Sequence, residues 1–211
     1  MKVIDIDTWD RKEHYQFFSR SDYPHYHIGA NLDITEYHRQ VKEKGIPISF
    51  ALTYTVTQAM SQVEAFRYRI LDGNVVLYDR LHPYFAYTAP NKKYFKMVLC
   101  EIEDDMAGFA YKAKEKALGQ EEYFIREDTT GRSDLIFISS IPKVSFTHLS
   151  HTITMSNPND ANPRLSWGRY FEENGRLLLP FNVQAHHAFV DGDHMGEYFE
   201  ALQKMLQDMN I

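Results

Sequence analysis

Between residues 176 and 194 the sequence reads RLLLPFNVQAHHAFVDGDH. Its first ten residues are mostly apolar and directly follow Asn174–Gly175, a dipeptide typical of a tight hairpin turn, so they predict a buried strand. Residues 195–209 carry an apolar stripe at helical spacing and predict an amphipathic helix. Residues 186–194 therefore form a loop between a strand and a helix, where the sheet would hold side chains in fixed positions.

The rest of the chain predicts helices that alternate with hairpins. The predicted helices follow Asp7–Thr8, span Asp33–Lys44, begin at Pro47, and span Ile102–Leu118. The predicted strands are Tyr68–Leu71 and Asn74–Tyr78 around Asp72–Gly73, an aromatic stretch within Leu81–Leu99, then Leu135–Ser139 and Val144–Thr147. This alternation predicts an α/β fold, a two-layer sandwich in which helices cover a mixed β-sheet. No repeat or linker divides the sequence, so residues 1–211 are predicted to form a single domain.

Composition excludes several classes of protein. The 211 residues include 23 Lys and Arg against 29 Asp and Glu, which gives a net charge of −6. The sequence has no long basic run of the kind that binds the phosphate backbone of a nucleic acid. One cysteine, Cys100, cannot form an internal disulfide. No apolar stretch approaches the roughly 20 residues of a membrane span, and two acids interrupt the first seven residues where a secretory signal would be apolar. We therefore expect a cytoplasmic protein with neither a nucleic-acid nor a membrane partner.

The polar loop offers groups that can do chemistry. A neutral imidazole at His186 or His187 could remove a proton from a hydroxyl. Asp191 would brace the loop, and if buried it needs a cationic or hydrogen-bonding partner. Two other interpretations stay open: a purely structural histidine pair, and a metal site, since residues 186–194 hold three His and two Asp. The sequence lacks a second cluster with the usual zinc spacing, which argues against the metal.

The loop His186–His194 resembles the signature His-His-x-x-x-Asp-Gly-x-His of the chloramphenicol acetyltransferase family. Other segments resemble the family in the same order along almost the whole chain: Trp9–Tyr15, Leu32–Thr35, Phe66–Arg67, Asp72–Gly73, Leu81–Pro83, Ile138–Pro142 and Arg176–Pro180. The short motif alone occurs in acyltransferases of several kinds, whereas the ordered series is specific. The resemblance implies the coenzyme A-dependent acyltransferase fold. It also implies acetyl transfer from acetyl-coenzyme A to a hydroxyl, with the primary hydroxyl of chloramphenicol as the expected acceptor.

The resemblance also implies catalytic roles for individual residues. His187 corresponds to the family's general base and Ser139 to the serine that donates a hydrogen bond to the oxyanion. Asp191 and Arg11 correspond to an ion pair that fixes the loop. Ser166 replaces a threonine that assists through water.

Binding residues match the family less well. The substrate-binding positions implied are Phe17, Phe18, Tyr26, Phe95 and Leu149, and the coenzyme-binding positions are Lys143, Arg169 and Tyr170. Lys143 replaces an aromatic residue, Phe18 lacks a tyrosine hydroxyl, and His151 stands at an apolar position. The resemblance implies acetyl-coenzyme A as co-substrate, with neither a permanently bound cofactor nor a metal. It also implies a homotrimer with active sites between subunits, in which His187 faces the segment from Phe17–Phe18 to Tyr26 of a neighbour.

Three alternatives remain open at this point. One is the same acyl transfer to a different hydroxyl acceptor; dihydrolipoyl acyltransferase cores share this fold and a related motif, but this chain has no lipoyl domain. The second is a non-catalytic binding protein on the same scaffold. The third is a metal-dependent hydrolase that uses the histidine cluster.

Overall fold

The computed structural model of the chain describes residues 1–127, 129–157 and 159–208. Within those ranges the helices are α1 Lys12–Phe18, α2 Thr35–Glu43, α3 Ile48–Gln62, α4 Met106–Gly119 and α5 Gly192–Gln207, with a 3-10 turn at Glu64–Arg67. The strands are β1 Lys2–Val3, β2 His25–Asp33, β3 Tyr68–Leu71, β4 Asn74–Leu77, β5 His82–Tyr87, β6 Lys96–Leu99, β7 Leu135–Ile141, β8 Arg164–Gly168, β9 Phe171–Glu173 and β10 Arg176–His186.

Most of the strands form one mixed sheet. Its order is β2-β10-β8-β7-β5-β6, with β9 added to β10, while β1, β4 and β3 form a smaller sheet. The pairs β5–β7 and β7–β8 are parallel, and the other pairs of the large sheet are antiparallel. The expected mixed sheet covered by helices is confirmed.

The two faces of β10 have different surroundings. Phe181 and its alternate neighbours point into the apolar core that α3 and α5 complete. Asn182 and Gln184 point to the opposite face, yet both are fully buried. Residues 142–157, which take no regular secondary structure, lie over this face, and the His151 amide donates to Oε1 of Gln184 at 2.8 Å. The sheet thus has an apolar face toward the helices and a polar face beneath an irregular cover.

Both hairpins predicted from turn residues are confirmed. Asp72 and Gly73 have φ of 49° and 77°, and Asn174 and Gly175 have φ of 51° and 76°. Two successive positive φ values define a type I′ turn, whose twist matches that of the flanking strands. The second hairpin sets the register of β10, the strand that leads into the polar loop.

Three details differ from the sequence predictions. The first helix begins at Lys12 rather than after Thr8, because the Asp7 carboxylate pairs with the Lys12 ammonium instead of capping a helix. Val144–Thr147 does not form a strand: the backbone hydrogen bonds at Val144 are a local one to the Ile141 carbonyl and one that its carbonyl accepts from the Arg169 amide. A strand that was not predicted, β8, lies between β7 and β10.

The C-terminal helix has the predicted apolar stripe. Met195, Tyr198, Leu202 and Leu206 are buried, whereas Met209 lies outside the described residues. Among the helices of the described ranges, none combines the length and apolar character needed to cross a bilayer. That residues 1–211 form one domain stays a prediction.

Candidate active site

His187 is the first residue after β10 and is half-buried. Its amide donates to the Pro24 carbonyl at 2.7 Å, which ties the turn to the start of β2. Its Nδ1 lies 2.9 Å from the Val190 carbonyl oxygen. A carbonyl only accepts hydrogen bonds, so in the neutral ring Nδ1 carries the proton and Nε2 carries the free lone pair. The fold therefore presents Nε2 of His187 as a proton acceptor.

Two aromatic rings fix the plane of the imidazole. Phe18 stacks on His187 with a centroid distance of 4.0 Å and an interplanar angle of 21°, and Tyr26 lies at 4.5 Å and 35°. Both rings belong to the same chain as His187, so the expectation that Phe18 and Tyr26 of a neighbour would face it is wrong. The cause is the pairing of β10 with β2, which places Tyr26 opposite Ala185. Phe17 packs edge-on against Phe18 at 5.0 Å and remains 72% exposed.

Arg11 binds three acceptors of the turn that carries His187. Its Nε donates to the Ala188 carbonyl at 2.9 Å, and its Nη1 donates to Oδ2 of Asp191 at 2.8 Å. Its Nη2 donates to the carbonyl of His187 itself at 3.3 Å. One guanidinium thus holds two successive carbonyls of the turn, those of His187 and Ala188, and the ion pair predicted between Arg11 and Asp191 is present.

Asp191 joins this turn to α5. It is the N-cap of the helix: its carboxylate receives the His194 amide, and its own amide donates to Nδ1 of His194 at 3.2 Å. Burial alone would raise the pKa of Asp191, but the hydrogen bond and the charge of Arg11, together with the hydrogen bond from the His194 amide, hold it below the usual value. The carboxylate is therefore ionised at neutral pH.

The first histidine of the pair has a different role. His186 is 3% exposed, its Nδ1 accepts a hydrogen bond from the Ala188 amide at 3.2 Å, and its ring lies edge-on to His25 at 5.1 Å. Burial, together with the charges of His25 and His187, lowers the pKa of His186 to about 3. His186, His187 and His194 thus each use Nδ1 within the protein. In the described ranges, no group of three or more His, Cys, Asp or Glu side chains is placed to hold a metal ion.

Ser139 and Ser166 are direct neighbours in the sheet. They are paired in register between the parallel strands β7 and β8. Ser166 is fully buried. Ser139 lines a cavity of about 870 Å³, together with Ser49, Phe95, Phe137, His151 and Arg164.

His187 is distant from this cavity within one chain. His186 lies four residues beyond Asn182 on β10, about 13 Å along the strand at about 3.3 Å per residue. Asn182 is in register with Ser166, and Ser166 with Ser139, so Ser139 lies two strands away, or about 10 Å. The backbones of His186 and Ser139 are thus roughly 16 Å apart, and His187 is the next residue beyond His186. His187 and Ser139 of one chain cannot contact the same carbonyl group.

The remaining predicted residues lie at the ends of β7 and β8 and in the segment that covers the polar face. Lys143 is exposed after β7, and the hydrogen bond from the Arg169 amide to the Val144 carbonyl, at 2.8 Å, brings Arg169 and Tyr170 close to it. Tyr170 is 44% exposed. Leu149 is half-buried in the segment that covers the polar face and is not part of the cavity lining.

Sequence reasoning missed a buried ion pair in the cavity. Nη2 of Arg164 lies 2.5 Å from Oδ2 of Asp160, with exposed fractions of 7% and 12%, and its guanidinium lies over the Phe137 ring at 5.4 Å. The signal was the spacing of an acid and a base four residues apart, which resembles an ordinary surface pair in the sequence. The Val190 carbonyl that binds His187 was also missed, because a backbone acceptor leaves no signal.

Comparisons with known proteins agree with this site. A family model described as "Chloramphenicol acetyltransferase" matches residues 1–203. A chloramphenicol acetyltransferase from Clostridium perfringens is 29% identical over 209 residues, covering 96% of this chain and 93% of the relative. One from Escherichia coli is 28% identical over 203 residues, with 96% and 92% covered.

Solved structures give the same answer. A chloramphenicol acetyltransferase superposes with a TM-score of 0.88 at 28% identity, covering 98% of this chain and all of the other. The Azotobacter vinelandii dihydrolipoamide acetyltransferase has a TM-score of 0.66 at 17% identity over 93% of this chain and 86% of that one, a likeness of fold alone. With a family model matched over nearly its whole length and relatives covered almost end to end, the chain belongs to the chloramphenicol acetyltransferase family.

Proposed function

We propose that this chain is an acetyl-coenzyme A-dependent O-acetyltransferase of the cytoplasm that acetylates the primary hydroxyl of chloramphenicol, with His187 as general base. The observation that carries the proposal is the hydrogen bond from Nδ1 of His187 to the Val190 carbonyl, which leaves Nε2 free. Chloramphenicol as acceptor is supported by family membership and by the names of the relatives.

In the proposed reaction, Nε2 of His187 takes the proton of the acceptor hydroxyl as that oxygen attacks the thioester carbonyl of acetyl-coenzyme A. A hydroxyl is a poor nucleophile at neutral pH, and a positioned base typically contributes about 10²–10⁴ in rate. The tetrahedral intermediate then expels the coenzyme thiolate, and the imidazolium returns the proton to the sulfur. The bonds from Arg11 to the turn hold the ring in place through both steps.

The Ser139 hydroxyl is proposed to stabilise the oxyanion that forms on the carbonyl. Ser139 lines the cavity, which supports this role, and Phe95 also lines it, which supports a substrate-binding role for Phe95. A single oxyanion donor commonly contributes about 10²–10³ in kcat. Lys143, Arg169 and Tyr170 lie together at the end of β7 and β8, where two cations suit the phosphates of the coenzyme.

The test is a thiol-release assay with acetyl-coenzyme A, with and without chloramphenicol, on wild type and His187→Ala. We expect chloramphenicol-dependent thiol release by the wild type and a loss of at least about 10²–10⁴ in kcat in the variant, because the base is gone while the fold remains. His14→Ala, an exposed histidine of α1, is the matched control. Near-normal turnover by His187→Ala, with intact circular dichroism, contradicts the mechanism. Tight ligand binding without any turnover by the wild type favours a binding protein instead.

A second candidate keeps the mechanism and changes the acceptor. The polar lining supports it: His151 and the buried Arg164–Asp160 pair face the cavity. The Nε2 of His151 has no partner among the described residues, and a nitrophenyl ring that left it unpaired would cost about 1–3 kcal/mol. A panel of alcohols in the same assay discriminates the two, and an acceptor with a kcat/KM far above that of chloramphenicol establishes the second.

We also propose that the enzyme is a homotrimer in which His187 of one subunit and Ser139 of another act on the same substrate. The separation of these two residues within one chain supports a shared site, and a closed ring of three copies would give each copy one such site.

Co-expression of His187→Ala with Ser139→Ala tests the shared site. Each variant alone is expected to be nearly inactive. Random mixed trimers should recover about one quarter of the wild-type sites, because a site is intact when its base comes from one variant and its serine from the other. Separately purified, unmixed trimers are the control. Activity no higher than that of the single variants contradicts the shared site, and a monomer in sedimentation analysis contradicts the trimer.

A further inference from the structure

The polar face of the sheet carries a row of small polar residues that ends at Ser139. Asn182 of β10 pairs in register with Ser166 of β8, which pairs with Ser139 of β7. Residues in register on neighbouring strands project to the same face. The three side chains therefore lie side by side, at about 4.8 Å strand spacing, beneath the cover formed by residues 142–157.

Asn182 is a polar side chain without a protein partner. It is 0% exposed, and neither its Oδ1 nor its Nδ2 has a hydrogen-bond partner within the described part of the chain. The Oγ of Ser166 is also buried and unpartnered there. Unpaired buried polar atoms are costly and are normally satisfied by ordered water when protein groups do not reach them. Because the chain itself buries these atoms, a second subunit cannot reach them.

Backbone shape leaves room for the Asn182 amide. On its other side the row continues to Gly29 of β2. A Cβ at Gly29 would come within 3.2 Å of Oδ1 of Asn182, closer than ordinary contact. A side chain at position 29 would therefore require the amide to shift by a few tenths of an ångström.

Ser166 needs such a neighbour to act on Ser139. A serine hydroxyl rotates among three staggered positions of similar energy and has no branch at Cβ to restrict it. The Oγ of Ser166 has no hydrogen bond to Ser139 among the described residues, so a water bound to Ser166 is the group that would extend the row to Ser139. The Asn182 amide is the neighbouring group with both a donor and an acceptor unpaired.

We infer that Asn182 is a positioning residue for acetyl transfer, which binds a buried water together with Ser166 and thereby orients the hydroxyl of Ser139 toward the oxyanion. This inference rests on the proposed function of Ser139. Asn182 does not touch the substrate, so its effect belongs to the chemical step and not to substrate binding.

The experiment compares Asn182→Leu, Ser166→Ala and the double variant in the thiol-release assay. Leucine has the same number and branching of side-chain heavy atoms as asparagine but larger terminal groups, so circular dichroism must first show that the variant folds. We expect kcat to fall about 10-fold in each single variant, with KM for both substrates within about twofold. The double variant should be no slower than about twofold below Ser166→Ala, because Asn182 acts through Ser166.

Asn182→Ser is the second variant, in case the leucine variant does not fold. The hydroxyl of the serine variant can still bind water, so its kcat should be about 3-fold below that of the wild type. Where Asn182→Leu folds, the serine variant should have the higher kcat of the two. Wild-type kcat in either folded variant overturns the inference. So does a double variant whose loss is the product of the two single losses, since Asn182 would then act independently of Ser166. A wild type without acetyl transfer would instead refute the proposed function, which keeps the two failures distinct.

Discussion

The reactive nitrogen proposed for this enzyme is set by groups that take no part in the reaction. Val190 contributes only a carbonyl, yet that carbonyl selects the tautomer of His187. Phe18 and Tyr26 contribute only ring faces, and they restrict the rotation of the imidazole. Burial and the Asp191 carboxylate raise the pKa of the Tyr26 phenol well above its usual value, so this hydroxyl stays protonated and uncharged beside the base.

Arg11 makes three hydrogen bonds to the turn that carries His187. In Arg11→Met, two turn carbonyls and the Asp191 carboxylate lose their donor, and the side chain is only 13% exposed. We expect a loss of about 1–3 kcal/mol in unfolding free energy, because partly buried acceptors are left unpaired. A small displacement of His187 should also lower kcat about 10–100-fold with little change in KM. Urea denaturation and steady-state kinetics measure the two effects.

The control for this prediction is Arg39→Met. Arg39 also pairs with two acids, Glu36 and Glu43, but it does so on the exposed face of α2. Exposed pairs contribute little, so stability and kcat should both remain at the wild-type level. If Arg11→Met behaved like Arg39→Met, the guanidinium would not hold the catalytic turn.

Among the helices, strands and turns, the sequence predicted those that depend on the chemistry of neighbouring residues in the chain. Asn174–Gly175 requires positive φ at two successive residues, and such turns are readable from residue type. Elements whose state depends on distant partners were not predictable. Val144–Thr147 has a strand-like composition. Because β8 and β10 pair with each other, the segment does not enter the sheet between them, and it belongs to the cover. β8 reads RLSWG, too short and too polar for a pattern, and it becomes a strand because both of its neighbours pair with it.

The candidate site follows the same rule. The loop with His187 and Asp191 and the strand end with Ser139 could be predicted from motifs, because each is local. Which chain supplies Phe18 and Tyr26 could not, because that depends on the pairing of β2 with β10 over about 150 residues of sequence. Nor could the unpaired state of Asn182, since the residues of the cover that leave it without a partner lie elsewhere in the chain.

In the whole molecule, the polar face of the sheet and the segment that covers it include the buried histidines His25 and His186 and the half-buried His151. Burial is the largest cause that lowers the pKa of each, to about 4 for His151 and about 3 for His186. The Arg164 guanidinium further lowers the pKa of His25 and His151. All three rings are therefore uncharged in the folded protein at neutral pH.

Stability should consequently fall as the pH decreases from about 7 to about 4.5. In the unfolded chain these histidines titrate near 6.5, so below that pH the unfolded state binds more protons than the folded state and is favoured. Each such histidine contributes a slope of up to about 1.4 kcal/mol per pH unit between its folded and unfolded pKa values. Carboxylates with lowered pKa values, such as Asp134 and Asp191, remain ionised over this range and do not contribute.

Urea unfolding at several pH values measures this slope. One protein concentration is used throughout, because the stability of the proposed trimer would vary with concentration. His151→Gln should reduce the slope by up to about 1.4 kcal/mol per pH unit, since it removes one of the titrating rings while keeping a polar side chain. His14→Gln is the matched control, because an exposed side chain changes its surroundings little on unfolding, and its slope should equal that of the wild type. A wild-type free energy of unfolding that stays constant or rises between pH 6.5 and 4.5 would contradict this prediction. It would mean that the histidine rings are already protonated in the folded protein.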